Sequence, residues 1–378
     1  MATKVTVQKT TFADSLAMVG RAVGSHSHLP ILSNVLLASE EGQLRLSATD
    51  LTVGITVWMD ANMDGSLSLA LPARTLTDVV NALSDPEVQF SVNGKPEAAL
   101  KSGSFKGIVK GNEGSEFPSI PVFDVSQGIS FDANTLKEMI QSVAVAASVD
   151  DSRPVLAGVL LILDDQTLAM AATDGFRLAV RKTELPARIG KKQVIVPAAA
   201  LKELSRILGS TKCARVTLFM PPSGSQVVMR CENVQLVSQL IDGKFPDYQV
   251  IVPKSYKTRT VVSRSELLKA CKQAGIMARA GSNVVRFQLK PGGENIGKVV
   301  VLAEADETGE SEIEMDATVE GPELEIAFNV KYLQDVLEVI DTKTVVMETN
   351  SHKTPAAIRP AGKEEYTYVL MPMHIDGK

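Results

Sequence analysis

Two periodicities take turns along this chain. Apolar residues that alternate with polar ones predict half-buried strands, as at 5–7, 31–38, 67–71, 98–101 and 106–110. Apolar residues spaced by three and four predict helices over 12–23, 74–84, 133–148, 198–208, 264–279 and 330–340. In the first of these the stripe is Phe12, Leu16, Val19 and Val23; in the last it is Leu333, Val336, Leu337 and Ile340. The second, fourth and sixth helices are each followed by a predicted strand, at 88–92, 216–220 and 345–348.

This succession is one pattern repeated. Leu168-Ala-Met-Ala-Ala-Thr-Asp-Gly-Phe-Arg-Leu-Ala-Val180 reads as a β-hairpin, an alternation running into a small turn and back. An earlier copy is Leu44-Arg-Leu-Ser-Ala-Thr-Asp-Leu-Thr-Val-Gly-Ile-Thr-Val57, and a worn one is Val300-Val-Leu-Ala-Glu-Ala-Asp-Glu-Thr-Gly-Glu-Ser-Glu-Ile313. Their aspartates, Asp50, Asp174 and Asp306, lie 124 and 132 residues apart. Pro72, Pro197 and Asn329, each opening a helix, lie 125 and 132 apart. Two landmarks on one spacing predict three tandem domains of common ancestry, at 1–125, 126–254 and 255–378. The period is too long for a solenoid and suits a small domain. Antiparallel strands with two helices per copy make each an α+β unit, both helices covering one sheet face.

Composition narrows the class. With 378 residues and 44% apolar content, the chain can bury two or three cores. No apolar run approaches a membrane span, and the opening Met1-Ala-Thr-Lys-Val-Thr-Val lacks a signal core, so a cytoplasmic protein is expected. Cys213, Cys231 and Cys271 have no metal or redox spacing and read as reduced thiols; the four histidines fall in loops or the tail. Neither a metal nor a cofactor is expected.

A net charge of −5 argues against nucleic acid at first sight. Its distribution changes that. The predicted helices carry ten basic and seven acidic residues, so they are positive on an otherwise acidic chain, as one basic face would require; mixed, solvated helix faces explain the counts equally well.

Five motifs then carry a resemblance: Leu29-Pro-Ile-Leu32, Ala172-Thr-Asp-Gly-Phe-Arg-Leu-Ala-Val180, Asp242-Gly-Lys-Phe-Pro-Asp-Tyr248, Phe328-Asn-Val-Lys-Tyr332 and Met371-Pro-Met373. In this order, and over the whole length, the chain resembles the β subunit of bacterial DNA polymerase III, the replication sliding clamp. The resemblance implies the DNA-clamp fold, three similar domains per chain and two chains closed head to tail into a dimeric ring around duplex DNA. It implies a non-catalytic processivity factor, cytoplasmic and nucleoid-associated, without cofactor. Its partners would be double-stranded DNA of any sequence, a second copy of itself, the polymerase α subunit, the clamp-loader δ subunit and other proteins with clamp-binding motifs.

Size agrees with a ring of two chains. A compact body of about 120 residues is roughly 35 Å across, so three in a ring leave a hole of about 5 Å, four about 15 Å and six about one body's width. A duplex with grooves about 8 Å deep needs roughly 20 Å.

A clamp must hold DNA without stopping on it, which selects long cations on helices and sequence-blind phosphate attraction. By resemblance Arg74 and Arg153 lie near the duplex; Arg21, Lys137, Lys202, Arg206, Lys269 and Lys272 are the helix candidates. Ser25-His-Ser-His28 lacks the family's arginine and Arg153-Pro-Val155 lacks an aromatic pair, which predicts weaker direct contact. The partner-peptide pocket carries over to Leu156, Thr173, Gly175, Phe176, Arg177, Leu178, Pro246, Val250, Ile251, Val369, Met371, Pro372 and Met373. Here Phe176 stands for a common histidine, Val250 for an arginine and His374 for a basic residue, and Asp376-Gly-Lys378 extends the tail. Apolar walls with adaptable methionines suit a short linear motif. An enzyme using Asp50, Asp174 and Asp306 as acid–base groups is disfavoured, because equivalent aspartates in three domains would not converge on one substrate, and a turn-forming role explains all three; the other alternative is a dimeric peptide-binding scaffold or clamp paralogue that never encircles DNA.

Overall fold

The structure, a computed structural model, describes residues 3–24, 29–150, 152–222, 224–279, 282–293, 296–305 and 309–374, with the side chains of 186–189 and 305 excepted. Asp306, His26, His28 and the 376–378 extension lie outside the described residues.

The six helices fall where the apolar spacing predicts: α1 Lys9–Val19, α2 Ala73–Ala82, α3 Ala133–Ala144, α4 Ala198–Ser210, α5 Arg264–Ala278 and α6 Val330–Val339. They bury the apolar stripes read from sequence, for example Leu76 and Val80 in α2 and Leu333, Val336 and Leu337 in α6, except that α1 ends at Val19 and leaves Val23 outside it, half-buried. Local chemistry fixes their starts. Asp132 Oδ1 accepts from Thr135 N at 2.8 Å ahead of α3, and Asn329 Oδ1 accepts from Lys331 N at 3.0 Å ahead of α6. Strand pairing is antiparallel throughout the described residues.

Two stretches depart from expectation, the predicted strand 31–38 and a strand that the alternation of Val155–Leu163 predicts. Residues 30–33 form a short 3₁₀ turn, with the strand starting at Asn34, because Pro30 presets a turn φ and Ser33 Oγ bonds back to Pro30 O. Turns carry the chain through 152–157, and the strand runs Gly158–Thr173. Cys213 and Cys231 are also not separate thiols: they lie 18 residues apart in sequence, their Cα atoms are 6.0 Å apart, and their sulfurs join as a disulfide. Antiparallel pairing of Arg215–Phe219 with Gln226–Cys231 brings them together, which no spacing rule reveals. Cys271 remains a free, buried thiol, pushed up to about 12 by burial.

The chain folds into two compact units, residues 1–137 with 203–240 and residues 138–202 with 241–378. In the first, one sheet orders Asn62–Met63, Thr3–Gln8, Glu87–Val92, Glu97–Ser102 and Phe105–Lys110. A second, nine-stranded sheet runs through Asn34–Glu40, Gln43–Thr49 and Val53–Asp60, then on into Val234–Gln239, Gln226–Cys231 and Arg215–Phe219 of the middle repeat. The second unit holds a ten-stranded sheet that likewise crosses a repeat boundary, where Arg177–Pro197 pairs with Tyr366–Leu370.

These two seams are copies of each other. In both, the return strand of a hairpin takes the last strand of the next repeat, and the fifth residue of the return strand opposes the first residue of that last strand. The pairs are Val57↔Val234 and Arg181↔Tyr366. At the first seam Trp58, the only tryptophan, bonds through Nε1 to Glu40 Oε2 (2.5 Å), lies under the Arg230 guanidinium (4.7 Å) and exchanges backbone and amide bonds with Asn233.

The hairpin turns match atom for atom. Asp50 Oδ1 accepts from Thr52 N (2.9 Å) and Val53 N (2.7 Å), and Asp174 Oδ1 from Phe176 N (2.9 Å) and Arg177 N (3.0 Å). Thr49 and Thr173 each turn Oγ1 onto the carbonyl four residues on, Val53 O and Arg177 O. These two aspartates are Asx-turn formers. The copies differ at one backbone position: Gly175 sits at φ +95°, and Leu51, its counterpart, at φ +76°. A leucine there is strained by about 1–3 kcal/mol. Leu51→Gly is therefore expected to stabilise the first unit by about 1 kcal/mol in urea unfolding, glycine's greater unfolded-state freedom offsetting part of the relief.

Candidate functional site

The second hairpin turn forms one wall of a largely apolar cleft of about 580 Å³ in the second unit. Thr173, Gly175, Arg177 and Leu178 come from the turn, Val250 to Lys254 from the following connection, Asn350, Thr354 and Pro355 from the loop after Thr344–Thr349, and Val369 with Met371 from the last strand. The local sequence explains each placement. Leu178, Phe245, Tyr248 and Val369 are buried in one cluster, with Ile251 and Val252 packed against it. Phe245 and Tyr248 thus pin the Asp242-Gly-Lys-Phe-Pro-Asp-Tyr248 motif, and the residues after it run along the rim. Gly175 takes the left-handed φ that this turn requires, and the Phe176 carbonyl accepts from Met371 N at 2.9 Å, holding the Met-Pro-Met run beside it.

Arg177 is the buried charge in this wall. The Arg177 side chain is 10% exposed. Its Nε donates to Asp174 Oδ2 at 3.0 Å, and Nη1 to Asp335 Oδ2 at 2.5 Å and to the Tyr368 hydroxyl at 3.3 Å. Its plane lies over the Tyr332 ring at 4.3 Å, and Tyr368 in turn donates to the Tyr332 carbonyl at 3.2 Å. Burial alone would lower the guanidinium's pKa; contact with Tyr368, Asp335 and Asp174 more than reverses this and raises it. Burial also raises the Tyr332 and Tyr368 phenols, so the charge present is one cation between two carboxylates.

Of the thirteen pocket residues expected from sequence, Thr173, Gly175, Arg177, Leu178, Val250, Ile251, Val369 and Met371 line this cleft. Leu156, Phe176, Pro246, Pro372 and Met373 do not. Leu156 is held in a turn by its N–H to Arg153 O, Pro246 is exposed, Pro372 is half-buried, and Met373 bonds through N to Ala327 O. Phe176, 56% exposed, projects beside the opening. Sequence reasoning missed Val252, Pro253, Lys254, Asn350, Thr354 and Pro355; only the apolar Ile251-Val-Pro253 run hinted at any of them.

The cations predicted to face DNA are spread over both units. Arg21 sits in the turn after α1, and Arg74 on α2 is almost fully exposed, 4.0 Å from Asp78. Lys137 on α3 is half-buried. Lys202 and Arg206 are exposed on α4, where Arg206 pairs with Glu203. Lys269 and Lys272 are exposed on α5, and Lys272 bonds Glu338 of α6 at 2.8 Å. Arg153 pairs with Asp150 at 3.4 Å and reaches the Asp174 carbonyl at 3.4 Å. Arg74, Arg153, Arg206 and Lys272 thus each have an acidic neighbour. Among the described residues no cluster of three or more His, Cys, Asp or Glu side chains is arranged for a metal, and no helix is long and apolar enough to cross a membrane.

Three tandem α+β repeats, sheets that run from one repeat into the next, and an apolar cleft where a seam ends define a DNA clamp. Comparison with known proteins gives the same class. Residues 3–127, 130–247 and 249–374 match the N-terminal, central and C-terminal domains of the DNA polymerase III beta subunit. The chain belongs to the DNA polymerase III beta subunit family. It is 32% identical to the beta sliding clamp of Synechococcus elongatus over 98% of this chain and 99% of that one, and 29% identical to that of Staphylococcus aureus over 97% and 98%. Among solved structures, the Bacillus subtilis sliding clamp superposes with a TM-score of 0.93 at 27% identity, and the Pseudomonas aeruginosa clamp bound to griselimycin with 0.90 at 29%, each over 99% of this chain and all of the other. The protein is a DNA sliding clamp, a processivity factor and not a catalytic subunit.

Proposed function

We propose that two copies of this chain close head to tail into a ring that encircles duplex DNA, and that the cleft beside Arg177 takes a short linear motif from the polymerase α subunit, the clamp-loader δ subunit and other partners in the cytoplasm, at the nucleoid. Repeats divided at about residues 125 and 254 each supply one sixth of that ring. The cations on α2 to α5, with Arg21 and Arg153 in turns, attract phosphate without reading sequence, a weak and salt-dependent hold suited to sliding. Lys254 and Val250 join the rim of the cleft, and its apolar floor suits side chains of an extended peptide.

One observation carries the ring: a third seam with both halves present and no partner. Gly309–Glu320 is the third return strand. It pairs with Gly297–Ala305 along one side, but with Thr258–Ser263 only from Ala317 onward, so residues 309–316 have an open edge among the described residues. Phe105–Lys110 is the last long strand of the first repeat, followed only by the two-residue Asn112–Glu113, and among the described residues it pairs only with Glu97–Ser102. It exposes Phe105, Ile108, Lys106 and Lys110. Unpaired edges of this kind invite another chain. Applying the register of the two internal seams sets Ile313 of one copy opposite Phe105 of the other, Glu312 opposite Lys106, and Glu310 opposite Ile108. An acidic edge thereby meets a basic one, and the contact is heterologous, as a closed head-to-tail dimer requires.

The test is topological. With a clamp loader and ATP, the protein is expected to stay on nicked circular DNA through a high-salt wash and to leave linear DNA by its ends. Equal loss from both substrates as salt rises would mean simple electrostatic binding, and a single-chain mass in solution would exclude the ring.

A further inference from the structure

We propose that the Cys213–Cys231 bond is a redox latch on the first seam. Closed, it braces the hairpin tip that grips Trp58; opened by a dithiol reductant, it leaves that tip loose while the seam stays paired.

The placement of the bond carries this. Gln226–Cys231 and Val234–Gln239 form the hairpin that adds to Val53–Asp60, and residues on either side of Cys231 hold Trp58. Arg230 lies over the indole at 4.7 Å, while Asn233 accepts at its carbonyl from Trp58 N (3.0 Å) and donates from Nδ2 to Trp58 O (2.7 Å). Backbone pairing with Arg215–Phe219 stops at Thr217↔Arg230, one residue short of Cys231. Beyond that point the bond to Cys213 ties the tip to the connection that leaves α4. The second seam has a tie at the same place, made of different chemistry. Lys363 lies three residues before Tyr366, as Cys231 lies three before Val234, and its Nζ holds both oxygens of Asp341 at 3.0 Å, two residues past α6. An exposed ion pair of that kind contributes little and is indifferent to reductants. The covalent tie holds more firmly and responds to them.

Both sulfurs have a partner waiting in the open state. Cys213 Sγ lies 2.8 Å from Arg215 O, an acceptor for the thiol proton. Cys231 Sγ lies 3.6 Å from Thr211 Oγ1, whose hydroxyl donates to Ile207 O at 3.0 Å and can turn to meet a thiolate. Cys213 is 8% exposed and Cys231 1%, so a reductant's thiolate meets Cys213 first. The reductant's sulfur bonds to Cys213 Sγ as the Cys213–Cys231 bond breaks, and Cys231 leaves with the electron pair beside Thr211. The reductant's second thiolate then attacks its own first sulfur in the mixed disulfide and frees Cys213. The dithiol ends as a disulfide, having supplied two electrons and two protons, and both cysteines end as thiols. The backbone pairs of the seam, Val234↔Val57 to Ser238↔Val53, contain neither cysteine and persist. Opening therefore softens the first seam without parting it.

The experiment uses the full chain in buffers of reduced and oxidised dithiothreitol. Thiols are counted by maleimide labelling and intact mass after acid quench and denaturation, and Trp58 emission and its melting curve are read on the same samples. One countable thiol, Cys271, is expected at the oxidising end and three at the reducing end. Reduction is expected to move the emission to longer wavelength as Arg230 and Asn233 loosen. It should also lower the emission-detected melting temperature by about 6–12 °C, the loss that opening a loop of 18 residues brings in a unit of this size. Returning the reduced sample to oxidised dithiothreitol, without denaturant, should reverse all three readings. Cys213→Ser should behave as the reduced protein in either buffer. A bond that opens only in denaturant is a permanent staple, which overturns the proposal. So does opening that leaves emission and melting unchanged, and so does a wild type with three countable thiols at the oxidising end, results that need no variant to fold.

Discussion

Ile108→Glu is expected to split the proposed dimer into stable monomers. Ile108 is 64% exposed in the single chain, so the change leaves the fold nearly untouched, as surface substitutions generally do within about 0.5 kcal/mol. In the ring it removes an apolar contact worth roughly 1.5–3 kcal/mol if fully buried. It also sets a carboxylate opposite Glu310 of the second copy, where a like-charged cross-strand pair costs roughly 0.2–1 kcal/mol more. A head-to-tail dimer holds this contact twice, so each term enters twice. About 4 kcal/mol in total is on the order of a thousandfold in dissociation constant. Analytical ultracentrifugation with a parallel melting curve separates the two effects. The decisive arm is the double variant Ile108→Glu with Glu310→Lys, which should recover the dimer if the register carried over from the internal seams is right. A dimer that ignores the first change, or a double variant no better than the single one, would place the interface elsewhere.

Arg177→Leu is expected to lower the stability of the second unit by about 2 kcal/mol, a fall of roughly 4–8 °C in its melting temperature. The loss comes mostly from what remains behind. Asp174, 12% exposed at its side chain, keeps the two backbone N–H bonds of the turn but loses its cation, and the Tyr368 hydroxyl loses a donor. Removing one partner of a buried pair commonly costs about 3–5 kcal/mol, and the partial exposure of Asp335 discounts that figure. The first repeat provides the internal comparison, since Val53 occupies the equivalent place and Asp50 closes the same turn without any cation. Adding Asp335→Asn to Arg177→Leu should restore part of the loss. A melting curve unchanged by Arg177→Leu would mean the cation contributes nothing to holding α6 against the last strand.

Much of this was readable in the residues. The stripe Leu76, Val79, Val80 and Leu83 could only be a helix face, and the Thr-Asp turns at Asp50 and Asp174 signalled hairpins because their side chains satisfy the turn backbone by themselves. The third turn is worn, and its aspartate lies outside the described residues, yet the return strand still begins three positions on, at Gly309. Pairing between distant strands was not readable. Nothing in Val234–Gln239 says that it adds to Val53–Asp60, since alternation fixes which face a strand buries and not its neighbour. The same limit hid Asn350, Thr354 and Pro355, which reach the cleft through a loop without periodicity, and it hid the Cys213–Cys231 disulfide. Asp335 escaped because on helical spacing alone it is one more polar residue on an amphipathic helix.

The lone tryptophan gives this molecule an optical asymmetry. Trp58 is locked by Glu40, Arg230 and Asn233 into one of the two seams built within a chain, so its emission is blind to the contact that two chains would open and close. Any spectral change on threading a duplex would then be a strain gauge reading, taken at a joint that never parts.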